Sequence, residues 1–293
     1  MTRYRISLLG LALLLGACRQ GSDENLGVAG RSDAPLDLTG LDQPGRLEAV
    51  LAAEAEGVER KLGPHQRQQT TKLVVRSGER SDTLEEFWRT EFDARGALHA
   101  VHETSRDEGI EWYLVGGDLF VRPRHGRFVR RHPQGDEVSR ARDEQSRALA
   151  GYLGVLGRFA TREEKPMRIG DRPAVRVTLR LDPQAAPSTE EDPARAWRRS
   201  LHVQALDGTV TLDAASGAVL EAHLEANYSF LREGAAGDKG REISVQLAYR
   251  SLTRQGGVAP LAAPSDALPA LARPRPLLDR ATLLEGLVPT RGE

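Results

Sequence analysis

Histidine and glutamate side chains lie close together at His99, His102 and Glu103, and both residue types ligate metal ions. The surrounding segment, 97–104, alternates with the period of a β-strand. Side chains three positions apart on a strand point to opposite faces of the sheet, so His99 and His102 cannot share one ion without a bulge. The other five histidines are scattered singly along the chain: His65, His125, His132, His202 and His223. We therefore predict no metal site.

Two aspartates, Asp207 and Asp213, flank one short strand-like segment. Their even spacing puts them on the same face of a strand, but about 20 Å apart. Because that distance is too great for an acid–base pair, we predict that they serve turns. The patterns GxSxG, GxxxxGK[ST], GxGxxG and CxxC are absent from the chain. The sequence thus predicts neither an enzyme nor a cofactor.

Five arginines crowd one predicted hairpin together with His125 and His132: Arg122, Arg124, Arg127, Arg130 and Arg131. One interpretation is a basic patch that meets lipid headgroups or an acidic partner. The other, which we favour, is a solvated hairpin. The whole chain has 41 basic and 42 acidic residues, which argues against a nucleic-acid partner.

The N-terminal segment MTRYRISLLGLALLLGAC has the pattern of an export signal. Arg3 and Arg5 form a basic start, and Ile6 to Leu15 form an apolar stretch of about ten residues, far short of the roughly 20 that span a bilayer. We expect residues 1–17 to be a cleaved signal peptide and exclude them from the fold.

Cys18 is the only cysteine in the chain, so an intrachain disulfide is excluded. The four residues Leu15-Gly16-Ala17-Cys18 resemble the lipobox of bacterial lipoproteins. The resemblance implies that Cys18 carries diacylglycerol and, after cleavage, an N-acyl chain, which would anchor the protein to a membrane without spanning it. The alternative is an ordinary signal peptide with an incidental cysteine.

The residue after the predicted lipidation site is Arg19. In well-studied bacterial lipoproteins an aspartate at this position retains the protein at the inner membrane. The resemblance therefore implies the cell envelope, and within it the outer membrane on its periplasmic side.

The rest of the chain divides by composition and period. Residues 18–43 are polar and glycine-rich, which predicts a flexible tether with a reach on the order of 25–30 Å. Helical spacing predicts helices over Pro44 to Leu62 and Asp136 to Ala160. Residues 253–293 are a proline-rich tail with a short helix predicted at Leu277 to Leu287.

Between these segments the period is two, and short glycine-bearing loops separate the runs. We predict about ten antiparallel strands, drawn from eleven candidate segments: 70–76, 83–92, 97–104, 110–115, 119–123, 127–131, 174–181, 197–205, 209–213, 218–230 and 241–252. Asp207-Gly208 is predicted to be a tight turn. The mainly β (α+β) domain is assigned to residues 44–252.

This order of elements resembles the LolA/LolB-like superfamily, which includes lipid-binding mycobacterial lipoproteins and the N-terminal domain of the sigma-factor regulator RseB. The resemblance lies in GIEWYLVGGDLFVRPRHGRFVRR (109–131), the helix that follows, and GTVTLDAASGAVLEAHLEANY (208–228), with Asp213 and Gly217 at its turn. It implies a curved, unclosed antiparallel β-barrel wrapped around one or two helices, with a hydrophobic cavity for acyl chains.

We therefore expect the apolar face of a curved sheet to bind a hydrophobic ligand, either lipid or the acyl chains of another lipoprotein. The predicted ligand-binding residues are Trp88, Phe92, Trp112, Leu114, Val177, Leu179, Val203, Leu220, Leu224 and Val245. The alternative is a structural or regulatory envelope lipoprotein that binds a protein partner through its outer surface. A cavity that the protein's own helices leave unfilled would favour the ligand.

Overall fold

The computed structural model describes residues 37–53, 55–185, 190–191, 193–232 and 240–269. Four short α-helices are present in these ranges: α1 (Arg46–Leu51), α2 (Ala55–Leu62), α3 (Glu137–Ser146) and α4 (Ala148–Leu156). Turns of 3-10 helix follow at Gly157–Phe159 and Pro193–Ser200. The remaining regular structure is β.

A single twelve-stranded sheet contains every strand of the described residues. The strands are β1 (His65–Ser77), β2 (Arg80–Phe92), β3 (Leu98–Thr104), β4 (Gly109–Val115), β5 (Asp118–Pro123), β6 (Val129–Arg131), β7 (Ala160–Ile169), β8 (Arg172–Leu181), β9 (His202–Asp213), β10 (Val219–Arg232), β11 (Arg241–Gln255) and β12 (Leu268–Pro269). Their spatial order is β12-β6-β5-β4-β3-β2-β1-β11-β10-β9-β8-β7.

The sheet is open, because β12 and β7 lie at its two ends and do not pair with each other within the described ranges. All neighbours are antiparallel except β12, which runs parallel to β6. The four α-helices pack on one face, which we call the concave face. The chain thus has the predicted fold class, a mainly β, curved and unclosed antiparallel sheet with helices inside it.

The main core lies between the concave face of β8–β11 and the helices α1 and α4. Leu47, Val50 and Leu51 come from α1, and Leu149, Leu153 and Leu156 come from α4. Alternation along the strands supplies the other side of this core, since residues of period two share one face. Two smaller apolar clusters lie under α3 and α2.

Each predicted long helix is broken in two. The segment predicted as a helix over 44–62 forms α1 and α2, and the segment predicted over 136–160 forms α3, α4 and a 3-10 turn. The break after α3 falls at Arg147, which has φ of −97° and ψ of 5°. Because of this break, α3 packs on the apolar cluster of β2–β5, whereas α4 packs on the main core.

Two strand predictions were wrong. Asp207-Gly208 is not a turn but lies inside β9, where a Cβ on Gly208 would come within 2.8 Å of the His223 carbonyl oxygen on β10. The glycine therefore permits close approach of two strands. Trp197 lies in a 3-10 helix and not in a strand. Strand β7 was not predicted from the sequence; its charged residues and Pro166 fit a strand at the edge of a sheet.

The tether was predicted over residues 18–43, but the last part of this range belongs to the folded domain. Leu38 and Leu41 belong to the main core, with 8% and 0% of their surface exposed, and the Leu41 amide donates to Glu164 Oε2 on β7 at 2.9 Å. The predicted signal peptide, Cys18 and the C-terminal helix lie outside the described residues. Within the described ranges, no helix has the length and apolar character needed to cross a membrane.

Candidate functional site

Five of the ten predicted ligand-binding residues lie together in the main core. They are Val177, Leu179, Val203, Leu224 and Val245, all on the concave face of β8–β11. Three of them, Val177, Leu179 and Leu224, have no exposed surface. They share this buried core with leucines of α1 and α4, so in this state a ligand has no access to them.

The other five predicted residues lie in separate places. Phe92 and Trp112 are buried in the smaller cluster under α3, with Leu114 packed beside them, and Leu220 lies in a third cluster with Leu62 of α2. Trp88 is half-buried and stacks on His102, with ring centres 4.0 Å apart. The structure thus divides the ten residues among several parts of the concave face and does not gather them around one cavity.

The apolar concave face is covered by α1 and by the longer helix α4. Its nine residues, ALAGYLGVL, contribute Leu149, Leu153 and Leu156 to the main core, each 2% exposed or less. The helix also contains Gly151 and Gly154, although a Cβ at either position would meet no atom within 4 Å. Glycine costs a helix about 0.8–1 kcal/mol relative to alanine, and Arg147 at the N-cap makes no side-chain capping bond. Helix α4 is therefore held in place by its contacts with the sheet.

A strip of polar side chains runs down the concave face of β1, beside the apolar core. It consists of His65, Arg67, Gln69 and Thr71, which alternate along the strand, and the first three are at most 6% exposed. Helix α3 meets the adjoining strand β2 through a hydrogen bond from the Thr90 hydroxyl to Gln145 Oε1, at 2.9 Å.

Charged groups complete this polar strip. Glu59 of α2 and Arg142 of α3 are 2% and 5% exposed, and Arg142 Nη1 lies 3.4 Å from Glu59 Oε2. Burial raises the pKa of Glu59, which the charges of Arg67 and Arg142 oppose. Arg67 Nε donates to Thr253 Oγ1 at 3.3 Å. Two buried guanidinium groups thus face one buried carboxyl group.

A small cavity lies where the polar strip meets the main core. Its volume is about 30 Å³, enough for one or two water molecules. Its polar wall includes Glu59, Arg67 and Gln69, and its apolar wall includes Val50 and Leu51 of α1. Gln69 Oε1 and Arg142 Nε are buried atoms without a hydrogen-bond partner, so the polar strip is incompletely satisfied.

The opposite, convex face carries a chain of polar contacts centred on His99. Its Nδ1 lies 3.1 Å from Glu91 Oε2 and its Nε2 lies 2.9 Å from Glu111 Oε1, while Arg122 donates to Glu111 Oε2 at 2.8 Å. The ring also stacks on Tyr113, with centres 4.0 Å apart. These contacts tie β2, β3, β4 and β5 together across the sheet. His99 and His102 therefore lie on opposite faces of the sheet, as predicted.

The described residues contain no cluster of acidic, histidine or cysteine side chains that could hold a metal ion.

The arginine-rich hairpin is largely neutralised by nearby carboxylates. The pairs are Arg122–Glu111, Arg124–Glu103 and Asp107, Arg130–Asp118, Arg131–Glu137, His125–Asp107 and His132–Asp118, with Arg127 exposed. This distribution supports the solvated hairpin over a basic patch, because little unbalanced positive charge is left to attract an anionic surface.

Asp213 serves a turn, as predicted. Its carboxylate is fully buried and accepts hydrogen bonds from Arg172 Nε at 2.8 Å and from the Ser216 amide at 2.8 Å. Burial alone would raise the pKa of Asp213, but the bonds from Arg172 and Ser216 outweigh it and lower the pKa. Asp207 pairs with Arg180 on β8. The two aspartates have separate partners and do not form an acid–base pair.

Sequence reasoning missed the polar strip on β1. The segment HQRQQTT is polar on both faces, so its period carries no indication of which side is buried. Glu59 was detectable in part, because it lies four residues after Ala55 on the apolar side of α2.

No family model and no curated protein matches the chain. Solved structures that are similar include a putative outer membrane lipoprotein-sorting protein domain from Vibrio parahaemolyticus, at 10% identity and TM-score 0.21, covering 73% of this chain and 93% of that chain.

Two further similar structures are a DUF1329 family protein from Desulfovibrio piger and MucB in the MucA/MucB complex of Pseudomonas aeruginosa. The DUF1329 protein is 8% identical, and the match covers 75% of this chain and 95% of that protein. The MucA/MucB structure is 16% identical, and the match covers 76% of this chain and 62% of that chain. Both have a TM-score of 0.21.

The buried ring of His65 predicts a pH-dependent stability. Burial lowers the pKa of His65 to about 4, with the charge of Arg67 acting in the same direction, while Nδ1–H donates to the Gly63 carbonyl. The unfolded chain binds this proton near pH 6.5 and the folded chain does not, so the free energy of unfolding should fall as the pH drops from about 6.5 to 4, by at most about 3 kcal/mol.

Urea unfolding of the full-length chain at pH 6.5 and 4.5 measures this loss. The His65→Asn variant should lose less stability over the interval, and His125→Asn, at an exposed ring, should lose as much as the wild type. Equal losses in the wild type and His65→Asn would show that His65 does not titrate in the unfolding equilibrium.

Proposed function

We propose that this protein is a lipid-anchored protein of the bacterial cell envelope that binds a hydrophobic ligand, lipid or acyl chain, on the concave face of its sheet. The observation that carries the proposal is the cover of that face by α4. This short helix, with two glycines that the packing does not require, contributes three leucines to the core that also contains Val177, Leu179 and Leu224.

A displaceable helix explains how a filled concave face can still bind a ligand. Removing the apolar surface under α4 from water contributes about 25 cal/mol of free energy per Å², whichever apolar group covers that surface. An acyl chain can therefore replace the leucines of α4 without leaving the face exposed to water. Away from the sheet, a nine-residue helix with two glycines is not stable in water, so displacement includes its unfolding.

An alternative function follows from the same cover. If α4 and α1 permanently fill the concave face, the protein acts as a structural or regulatory envelope lipoprotein through contacts with a protein partner. The burial of five predicted ligand-binding residues against these helices favours this second candidate. Ligand uptake separates the two.

Ligand binding is tested with the full-length Cys18→Ser chain, in which the predicted acylation site is absent and cannot supply an internal acyl chain. Incubation with hexadecanol should give one ligand per chain by native mass spectrometry. Gly151→Ala and Gly154→Ala should each raise the free energy of unfolding by about 0.5–1 kcal/mol and weaken binding about two- to fivefold, because they stabilise the closed helix.

A matched control is Ser139→Ala, which stabilises the exposed side of α3 and should leave ligand binding unchanged. If the Cys18→Ser chain without further substitution is folded by circular dichroism and binds no hexadecanol, the ligand-binding function is excluded and the protein-partner alternative remains.

The proposed anchor is tested in the producing bacterium. Growth with radiolabelled palmitate should label the wild-type protein and place it in the membrane fraction, because Cys18 is acylated in this proposal. The Cys18→Ser protein should remain unlabelled. Processing and membrane attachment of the Cys18→Ser protein as in the wild type would contradict the anchor.

A further inference from the structure

The buried polar strip carries more positive than negative charge. Arg67 and Arg142 are both at least nine-tenths buried. Glu59 is ion-paired with Arg142 and lines the same cavity as Arg67. Asp143 on α3 also lies near Glu59, but its carboxylate is bound to Arg147 at 3.3 Å and accepts from the Ala55 amide at 3.4 Å. Buried guanidinium groups are stable only with anionic partners, so this pair has capacity for a further or a different anion.

The two guanidinium groups also have free hydrogen-bonding capacity. Arg142 Nε is buried without a partner, and the bond from Arg67 Nε to Thr253 joins a neutral hydroxyl. The contact between Arg142 and Glu59 is long, at 3.4 Å. A carboxylate that approached both groups at ordinary hydrogen-bond distances would satisfy more of these donors than Glu59 does.

The position of the pair relates it to the apolar face. The cavity beside Glu59 and Arg67 also touches Val50, Leu51 and Tyr249, which belong to the main core. A charged headgroup at Arg67 would thus lie at the end of the face that α4 covers. Glu59 lines the same cavity, so in the closed protein its carboxyl group occupies space that such a headgroup would need.

We propose that Arg67 and Arg142 form the headgroup subsite for an anionic amphiphile, a long-chain carboxylate, and that Glu59 occupies this subsite while the ligand is absent. The inference rests on the proposed function. In the closed protein, the leucines of α4 take the place of the acyl chain and Glu59 takes the place of the headgroup. A carboxylate headgroup competes with Glu59 for the two guanidinium groups, whereas the hydroxyl of a neutral ligand leaves Glu59 in place.

The test compares palmitate with hexadecanol, which has the same chain length and no charge, on the full-length Cys18→Ser chain. The measured quantity is the ratio of the two affinities. Glu59→Gln should raise the ratio in favour of palmitate about tenfold, because the competing carboxylate is gone. Arg67→Gln should lower the ratio about 10- to 100-fold, because the headgroup loses a charged partner.

The controls are Glu56→Gln and Arg60→Gln, which break an exposed ion pair on the same helix and should leave the ratio within about twofold. Acetate, the headgroup without a chain, should not compete with palmitate at equal concentration. If Arg67→Gln fails to fold by circular dichroism, the near-isosteric Glu59→Gln variant alone decides.

Three results would overturn the inference. An unchanged ratio in Glu59→Gln, while both ligands still bind, would remove the headgroup subsite and leave the proposed function intact. Equal competition by acetate would indicate a site for free anions. Failure of the wild-type chain to bind either palmitate or hexadecanol would remove the proposed function, and the subsite with it.

Discussion

An open sheet with one strongly apolar face must cover that face, and the rest of this structure depends on how it does so. The concave face of β8–β11 extends over four neighbouring strands, yet the helices available to cover it, α1 and α4, have only six and nine residues. Cover is completed by Leu38 and Leu41, which precede the first helix. The core is therefore made by short segments that hold their positions through contact with the sheet.

The helices contact the concave face through two different kinds of side chain. Over β8–β11 the contacts are apolar and closely packed, with Val210 and Leu212 showing no exposed surface. Under α2 and α3, small apolar clusters lie beside polar contacts made by Glu59, Arg142 and Gln145, and some of these polar residues have atoms that lack partners. An incompletely satisfied polar contact contributes less to stability than apolar packing of the same area. The polar strip therefore contributes less to stability, for the same buried area, than the main core does.

The sequence predicted the fold class because its clearest signals are local. Alternation in 174–181 and the glycine-bearing turns between strands set the meander, and the register then follows from the buried face. Gly208 was misinterpreted because an Asp-Gly pair is a common turn signal, and only the approach of His223 on the neighbouring strand shows why a glycine is needed inside β9. Strand β7 was missed because an edge strand carries charge on both faces.

The candidate site was predictable only in its apolar part. Val177, Leu179 and Leu224 follow from the period of their strands, but the identity of their cover does not, since any apolar segment could provide it. The polar strip depends on pairing between segments far apart in sequence, such as Glu59 with Arg142, and single-segment patterns contain no information on such pairs. Which segment covers the apolar face, and which charged residues pair beside it, depends on contacts that form only in the folded chain.

The central claim is that α4 leaves the concave face when a hydrophobic ligand arrives. Hydrogen exchange of the full-length Cys18→Ser chain, followed by mass spectrometry with and without hexadecanol, tests it directly. The amides of α4 should exchange at least tenfold faster with the ligand bound, while those of β10 and β11 remain protected. Unchanged protection of α4 in the ligand-bound protein would contradict the account.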